Sequence, residues 1–244
     1  MQIPDYATDE GVERVLVVVA HPDDIDFGTA GSVATWSDAG IEVTYCLVTS
    51  GDAGGDDRSQ PRADMAAQRE AEQTNAAKHV GVSDLRFLHY PDGRVEYTLE
   101  LRKDISRVIR EVRPQRVISM SPERNYDRVY ASHPDHLATG QATMAATYPD
   151  SRNPFAFPEL LEDEGLEPWS VDQLWIQLRG EANVFVDTTD VFDRKLAALL
   201  SHESQIPDAD WAVTILKDWG ARNAEAAGLP EGRLAELFYA IDAR

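Results

Sequence analysis

The 244-residue chain predicts an α/β fold: a Rossmann-like, mostly parallel sheet with helices on both faces, one domain, and antiparallel additions near the C-terminus. Three observations point there. Residues 15–20 form an uninterrupted apolar run, mostly β-branched, as expected of a strand covered on both faces. Strand-like and helix-like segments alternate from that run to Met120. The two turns richest in His and Asp each come after a predicted strand, where open α/β sheets keep their ligands.

After the first strand, residues 26–39 read as a helix closed by Gly40, and Glu42–Thr49 as a second strand. A Gly/Asp/Ser loop spans 50–60. Arg62–His79, rich in Ala, Gln and Glu, is a helix stopped by Gly81. Residues 85–88 form a short strand, and Pro91-Asp92-Gly93 a turn. Leu99–Val112 has helical periodicity with Pro114 just beyond, and Arg116–Met120 is the next strand. A helical run covers 137–148. Residues 149–169 read as a Pro- and Glu-rich surface excursion. Residues 171–178 and 184–186 read as strands, antiparallel at one sheet edge. Helices are expected at 191–202, 211–227 and 232–240. The domain is expected to span 1–244, with a core of about 14–205 and C-terminal helices over about 206–244.

Composition excludes several classes. With 23 Lys+Arg against 43 Asp+Glu the formal charge is -20, which repels phosphate backbones and anionic lipid and argues against nucleic-acid or membrane-surface partners. A single cysteine, Cys46, rules out an internal disulfide framework and a multi-Cys zinc site. The first 14 residues lack a basic-then-apolar signal pattern, and no apolar run reaches membrane-spanning length, so a cytoplasmic location is expected.

The first strand ends in His21-Pro22-Asp23-Asp24. A nucleotide cradle would place a glycine turn there, and two carboxylates would repel phosphate. The second cluster is His133-Pro134-Asp135-His136. His21, Asp24 and His136 would supply the three ligands of a catalytic zinc, leaving Asp23 and His133 as unliganded acid–base groups of the kind hydrolysis needs. Either cluster could equally be a turn whose Asp caps the next helix. Two of them in one sheet strengthen the metal reading.

These residues resemble the paired signatures of the PIG-L/LmbE-like superfamily of zinc-dependent de-N-acetylases. The pattern stands here as Ala20-His21-Pro22-Asp23-Asp24-Ile25-Asp26 and His133-Pro134-Asp135-His136. Further similarity lies in Thr49-Ser50-Gly51-Asp52-Ala53-Gly54, Arg69-Glu70-Ala71-Glu72, Asp92-Gly93, Val186-Asp187-Thr188-Thr189 and His202-Glu203-Ser204-Gln205. The resemblance implies Zn2+ bound by His21, Asp24 and His136, with Asp23 as general base on the water. It implies that His133, as a cation, steadies the oxyanion, with Asp135 orienting its ring. Arg69 and Asp92 would reach the substrate, as would Tyr130 if it matches a mobile Tyr of some relatives. The implied substrate is a small N-acylated molecule, an amino sugar or glycoside. An amidase of a thiol conjugate or natural-product intermediate, and a non-catalytic binding module on the same fold, are the rivals. The assembly stays open between monomer and homo-oligomer. His79, His89 and His202 are expected to be structural, His202 as a helix C-terminal residue.

Overall fold

The computed structural model describes residues 2–55, 57–126, 129–177 and 181–244, with Tyr130 and Ala131 described in backbone only. Among these residues one sheet contains β1 (Arg14–Val19), β2 (Glu42–Thr49), β3 (Asp84–Tyr90), β4 (Arg116–Met120), β5 (Gln173–Gln177), β6 (Val184–Asp187) and β7 (Ala235–Asp242), in the order β3-β2-β1-β4-β5-β7-β6. Strands β1 to β5 pair in parallel, and β7 runs antiparallel to both β5 and β6. The helices are α1 (Asp24–Gly28), α2 (Ala30–Asp38), α3 (Arg62–His79), α4 (Leu99–Val112), α5 (Pro134–Thr147), α6 (Pro158–Glu162), α7 (Phe192–Leu200) and α8 (Ala209–Ala227).

The period of two along β1 splits the core between two faces. Val15, Val17 and Val19 pack with Trp36, Ala76, Ala77 and Ala198 on one face. Leu16 and Val18 pack with Leu101, Ile105, Ile109, Ala138 and Ala142 on the other. Helix α4 shows how local signals fix an element. The Thr98 side chain accepts from Leu101 N–H at its start, and Arg113 ends it in the left-handed region just before Pro114.

From β1 the chain steps to β2 on one side, then returns through β4 on the other. The crevice beyond the carboxyl ends of β1 and β4 is therefore the switch point of the sheet, and both His/Asp motifs open into it. Helix α5 lies close against the end of β4 because position 140 has no side chain. A Cβ on Gly140 would stand 2.4 Å from the Met120 carbonyl oxygen.

Four expectations need correcting. Residues 232–240 are not helical: β7 occupies Ala235–Asp242, so of the expected C-terminal helices only α8 forms. Ala-Glu-Leu-Phe-Tyr-Ala is an acceptable helix sequence, but partners on both sides supply ladders that outweigh propensity. Strand β5 is parallel to β4, and the antiparallel strand is β7. The helix expected over 26–39 breaks at Thr29 into α1 and α2. The excursion of 149–169 is anchored, with Arg110 reaching the carbonyls of Asp150, Ser151, Asn153 and Ala156. Leu178, at the end of one expected strand, lies outside the described residues. Among the described residues no helix is long and apolar enough to cross a membrane.

Candidate metal centre

The chain leaves β1 through Ala20 into a tight turn. His21 N–H donates to Asp24 Oδ2 at 2.8 Å, and Asp23 adopts φ 90°, ψ -28°. A non-glycine residue pays a steric penalty there, so surrounding contacts must hold it. The turn separates two adjacent carboxylates: Asp24 points to the histidines, Asp23 towards α3. Neither Asp caps the following helix, because Asp23 makes no side-chain bond to α1. In the second motif Pro134 opens α5 and the N-cap is His133, whose Nδ1 accepts from Asp135 N–H at 3.3 Å.

Two ring nitrogens and one carboxylate from the two motifs stand close together. His21 Nδ1 lies 3.2 Å from His136 Nε2 and 3.4 Å from Asp24 Oδ2, and His136 Nε2 lies 3.1 Å from Asp24 Oδ1. Bonds of about 2.0–2.1 Å to a tetrahedral zinc would set donor atoms about 3.3–3.4 Å apart. The residues therefore fit a divalent ion in both chemistry and spacing. Donor atoms of His21, His133 and His136 also fall within 4.8 Å of one another, as do those of His21, Asp92 and Asp135.

The second of those groups lies on the far side of the His21 ring. His21 Nε2 is 3.1 Å from Asp92 Oδ1 and 3.2 Å from Asp135 Oδ2. Both carboxylates are also tied to backbone: Ala53 N–H donates to Asp92, and Gly93 and Val95 N–H donate to Asp135. A proton on Nε2 held by these acceptors leaves the Nδ1 lone pair facing Asp24 and His136, the usual backing of a metal-ligating histidine. Burial opposes a charge on His21, yet Asp135, Asp24 and Asp92 outweigh it and push the imidazole up to about 12. Burial likewise raises Asp24, but His136 and His21 hold it well below the ordinary carboxylate range.

Asp23 has the opposite electrostatics. Burial, then the neighbouring Asp24 carboxylate, raises it to about 6, against the lowering pull of Arg69 and His202. Arg69, 4 % exposed, donates to Asp23 Oδ2 at 3.0 Å, to the Pro22 carbonyl at 2.7 Å and to the Gly51 carbonyl at 3.1 Å. The loop after β2 is glycine-rich because it covers this guanidinium. A Cβ on Gly51, itself at φ 67°, would lie 2.4 Å from Arg69 Nη1, and one on Gly54 2.2 Å.

The structure thus gathers His21, Asp23, Asp24, His133, Asp135 and His136 at one crevice. It turns Arg69 and Asp92 inward, onto Asp23 and His21, where the sequence reading expects substrate contacts. Asp135 backs His21 through its carboxylate and meets His133 only through its backbone N–H. Burial, with the nearby His21 and His136, lowers His133 from the ordinary imidazole value, against the raising pull of Asp135 and Asp24. The Tyr130 side chain lies outside the described residues. Gln73 escaped the sequence reading, although it follows Arg69 by one helical turn on the same buried face of α3. His202 was expected to serve a helix end, and instead bonds the fully buried Asp26.

The chain is similar to known proteins. Residues 16–147 match the family model for GlcNAc-PI de-N-acetylase, PIG-L. The chain is 34% identical over 202 residues to diacetylchitobiose deacetylase of Thermococcus kodakarensis, covering 83% of this chain and 73% of that one. It is 33% identical over 232 residues to the probable N-acetyl-alpha-D-glucosaminyl L-malate deacetylase 2 of Bacillus cereus, covering 92% and 96%. Among solved structures, N,N'-diacetylchitobiose deacetylase from Pyrococcus horikoshii, complexed with its inhibitor MPG, superposes with a TM-score of 0.85 at 31% identity, covering 96% of this chain and 86% of that one. By sequence and by fold, the chain belongs to the PIG-L family of GlcNAc de-N-acetylases.

Proposed function

We propose that this chain is a zinc-dependent hydrolase that removes the acetyl group from the amine of an N-acetylglucosamine-type sugar or glycoside. The carrying observation is the close grouping of His21 Nδ1, His136 Nε2 and the Asp24 carboxylate, with an unliganded carboxylate of raised pKa, Asp23, next in the chain. The activities in the relatives' names support the choice of substrate. His21, Asp24 and His136 hold the ion in this reading. A zinc ion there would act as Lewis acid, acidifying a water and polarising the acyl oxygen.

Asp23 takes a proton from the attacking water at a carboxylate oxygen, and a pKa of about 6 suits it to both accept and release that proton near neutrality. His133 holds its proton on Nε2, since Nδ1 accepts from Asp135 N–H, and donates it as a hydrogen bond to the developing oxyanion. The protonated Asp23 then passes its proton to the amide nitrogen as the C–N bond breaks, leaving acetate and a free amine. Arg69 keeps Asp23 in place, while Asp92 and Asp135 fix the His21 ring. A reducing compartment, the cytoplasm, suits the free and buried Cys46.

The test is metal content together with amine release from N-acetylglucosamine and N,N′-diacetylchitobiose, for wild type and Asp23→Ala in parallel. The expected result is about one zinc per chain in both and amine release in wild type alone. No bound divalent ion after reconstitution, or equal turnover by the variant, would overturn the proposal.

A further inference from the structure

Behind the strained Asp23 turn, on the side away from the metal centre, lies a chain of buried polar groups from three separate elements. Gln73 of α3 accepts the Asp23 backbone N–H on Oε1 at 2.9 Å. Its Nε2 donates to Asp26 Oδ2 at 2.9 Å. His202, just beyond α7, lies with Nε2 2.8 Å from the same Asp26 oxygen. Gln73, Asp26 and His202 are all fully buried. Among the described residues, Asp26 Oδ1 and His202 Nδ1 have no hydrogen-bond partner. Buried polar groups left part-satisfied are costly, and an apolar core would be cheaper in stability. Their arrangement meets a local need: among the described residues, the one backbone amide their side chains hold is that of Asp23, whose left-handed conformation goes with a carboxylate bonded by Arg69.

We propose that Gln73, Asp26 and His202 form a positioning relay that locks the Asp23 turn, and so sets the general base against the metal centre. The proposal rests on the hydrolase reading of Asp23, and none of the three residues touches substrate or ion. His202 transmits the position of the segment after α7, which is further pinned where Ser204 donates to Glu72 and Gln205 to the Gly54 carbonyl.

The test uses full-length Gln73→Leu, His202→Leu and the conservative His202→Gln, which retains an amide donor near the Nε2 position. With diacetylchitobiose as substrate, kcat should fall on the order of 10- to 100-fold in both leucine variants, the range for removing a supporting partner. KM should stay within about twofold, zinc near one per chain, and His202→Gln should recover most of the loss. In an Asp23→Asn background neither leucine change should lower the residual rate further, because the relay acts only through Asp23. Loss of zinc, or an equal further loss in that background, would overturn the relay in favour of a general structural role.

A readout free of turnover separates this from the parent proposal. Wild type should show a downfield imidazole N–H proton in its NMR spectrum that persists in Asp23→Asn and vanishes in His202→Leu. That proton without any turnover sinks the substrate reading and keeps the relay's hydrogen bonds. Its absence sinks the relay.

Discussion

Adding one carbon at Gly140 should loosen the metal centre from a distance. The Cβ of Gly140→Ala would stand 2.4 Å from Met120 O, 3.0 Å from Pro122 N and 3.0 Å from Ser121 C. All three are main-chain atoms of the segment leaving β4, so no side chain can rotate away. Ordinary contact needs about 3.5 Å, which means α5 must withdraw from β4 by on the order of 1 Å. His136 lies one helical turn before Gly140 and must travel with it. Donor atoms tolerate only about 0.2 Å before coordination suffers. Zinc affinity should therefore fall at least tenfold. Overpacking costs about 1–3 kcal/mol, and replacing a helical glycine by alanine returns up to about 1 kcal/mol. With a backbone clash this close the cost sits at the upper end, for a net loss of about 2 kcal/mol. For a chain of this size that lowers the melting midpoint by about 4–8 °C. Chelator competition reads the affinity, and calorimetry the midpoint. Wild-type values for both would refute the claim that α5 is held on β4 by the missing side chain.

Other consequences follow from the same geometry. Gly51→Val meets the Arg69 guanidinium and a left-handed φ together, so amine release should drop sharply while zinc content holds; normal turnover would mean that Arg69 does not need the glycine loop. Removing the Arg69 side chain as Arg69→Met strands the Asp23 carboxylate and the buried carbonyls of Pro22 and Gly51, and should destabilise by about 3–5 kcal/mol in urea titration; a loss below about 1 kcal/mol would contradict its role as anchor. Metal binding needs a bare Nδ1 on His21, whose ring is held protonated by Asp135, Asp24 and Asp92. Zinc uptake should thus release protons and tighten as pH rises, and calorimetric titration in buffers of differing ionisation enthalpy should show it.

Strands β1 to β4 are legible in the sequence, β1 most clearly because burial on both faces leaves it an unbroken apolar string. The meeting of the two His/Asp turns in one crevice is legible too, since each follows a strand of one parallel sheet near its switch point. What stays hidden is direction and distance. Arg69 and Asp92 read as substrate-facing, but which way a long side chain turns depends on carbonyls of Pro22 and Gly51 and on an imidazole brought in from other strands. The bond between His202 and Asp26 joins residues 176 apart, which no local pattern encodes. Strand β7 is misread for a related reason. Its helix-compatible composition is overruled by two neighbours that only the finished fold provides.

The proposed hydrolysis requires a zinc ion between His21, Asp24 and His136. Anomalous diffraction at the zinc edge, from crystals of the zinc-loaded protein, tests it most directly. The expected map holds a single strong peak bonded to His21 Nδ1, His136 Nε2 and an Asp24 oxygen, with the Asp23 carboxylate unbound beside it. A peak ligated instead by His21 Nε2, Asp92 and Asp135, or no peak in the crevice, would contradict it.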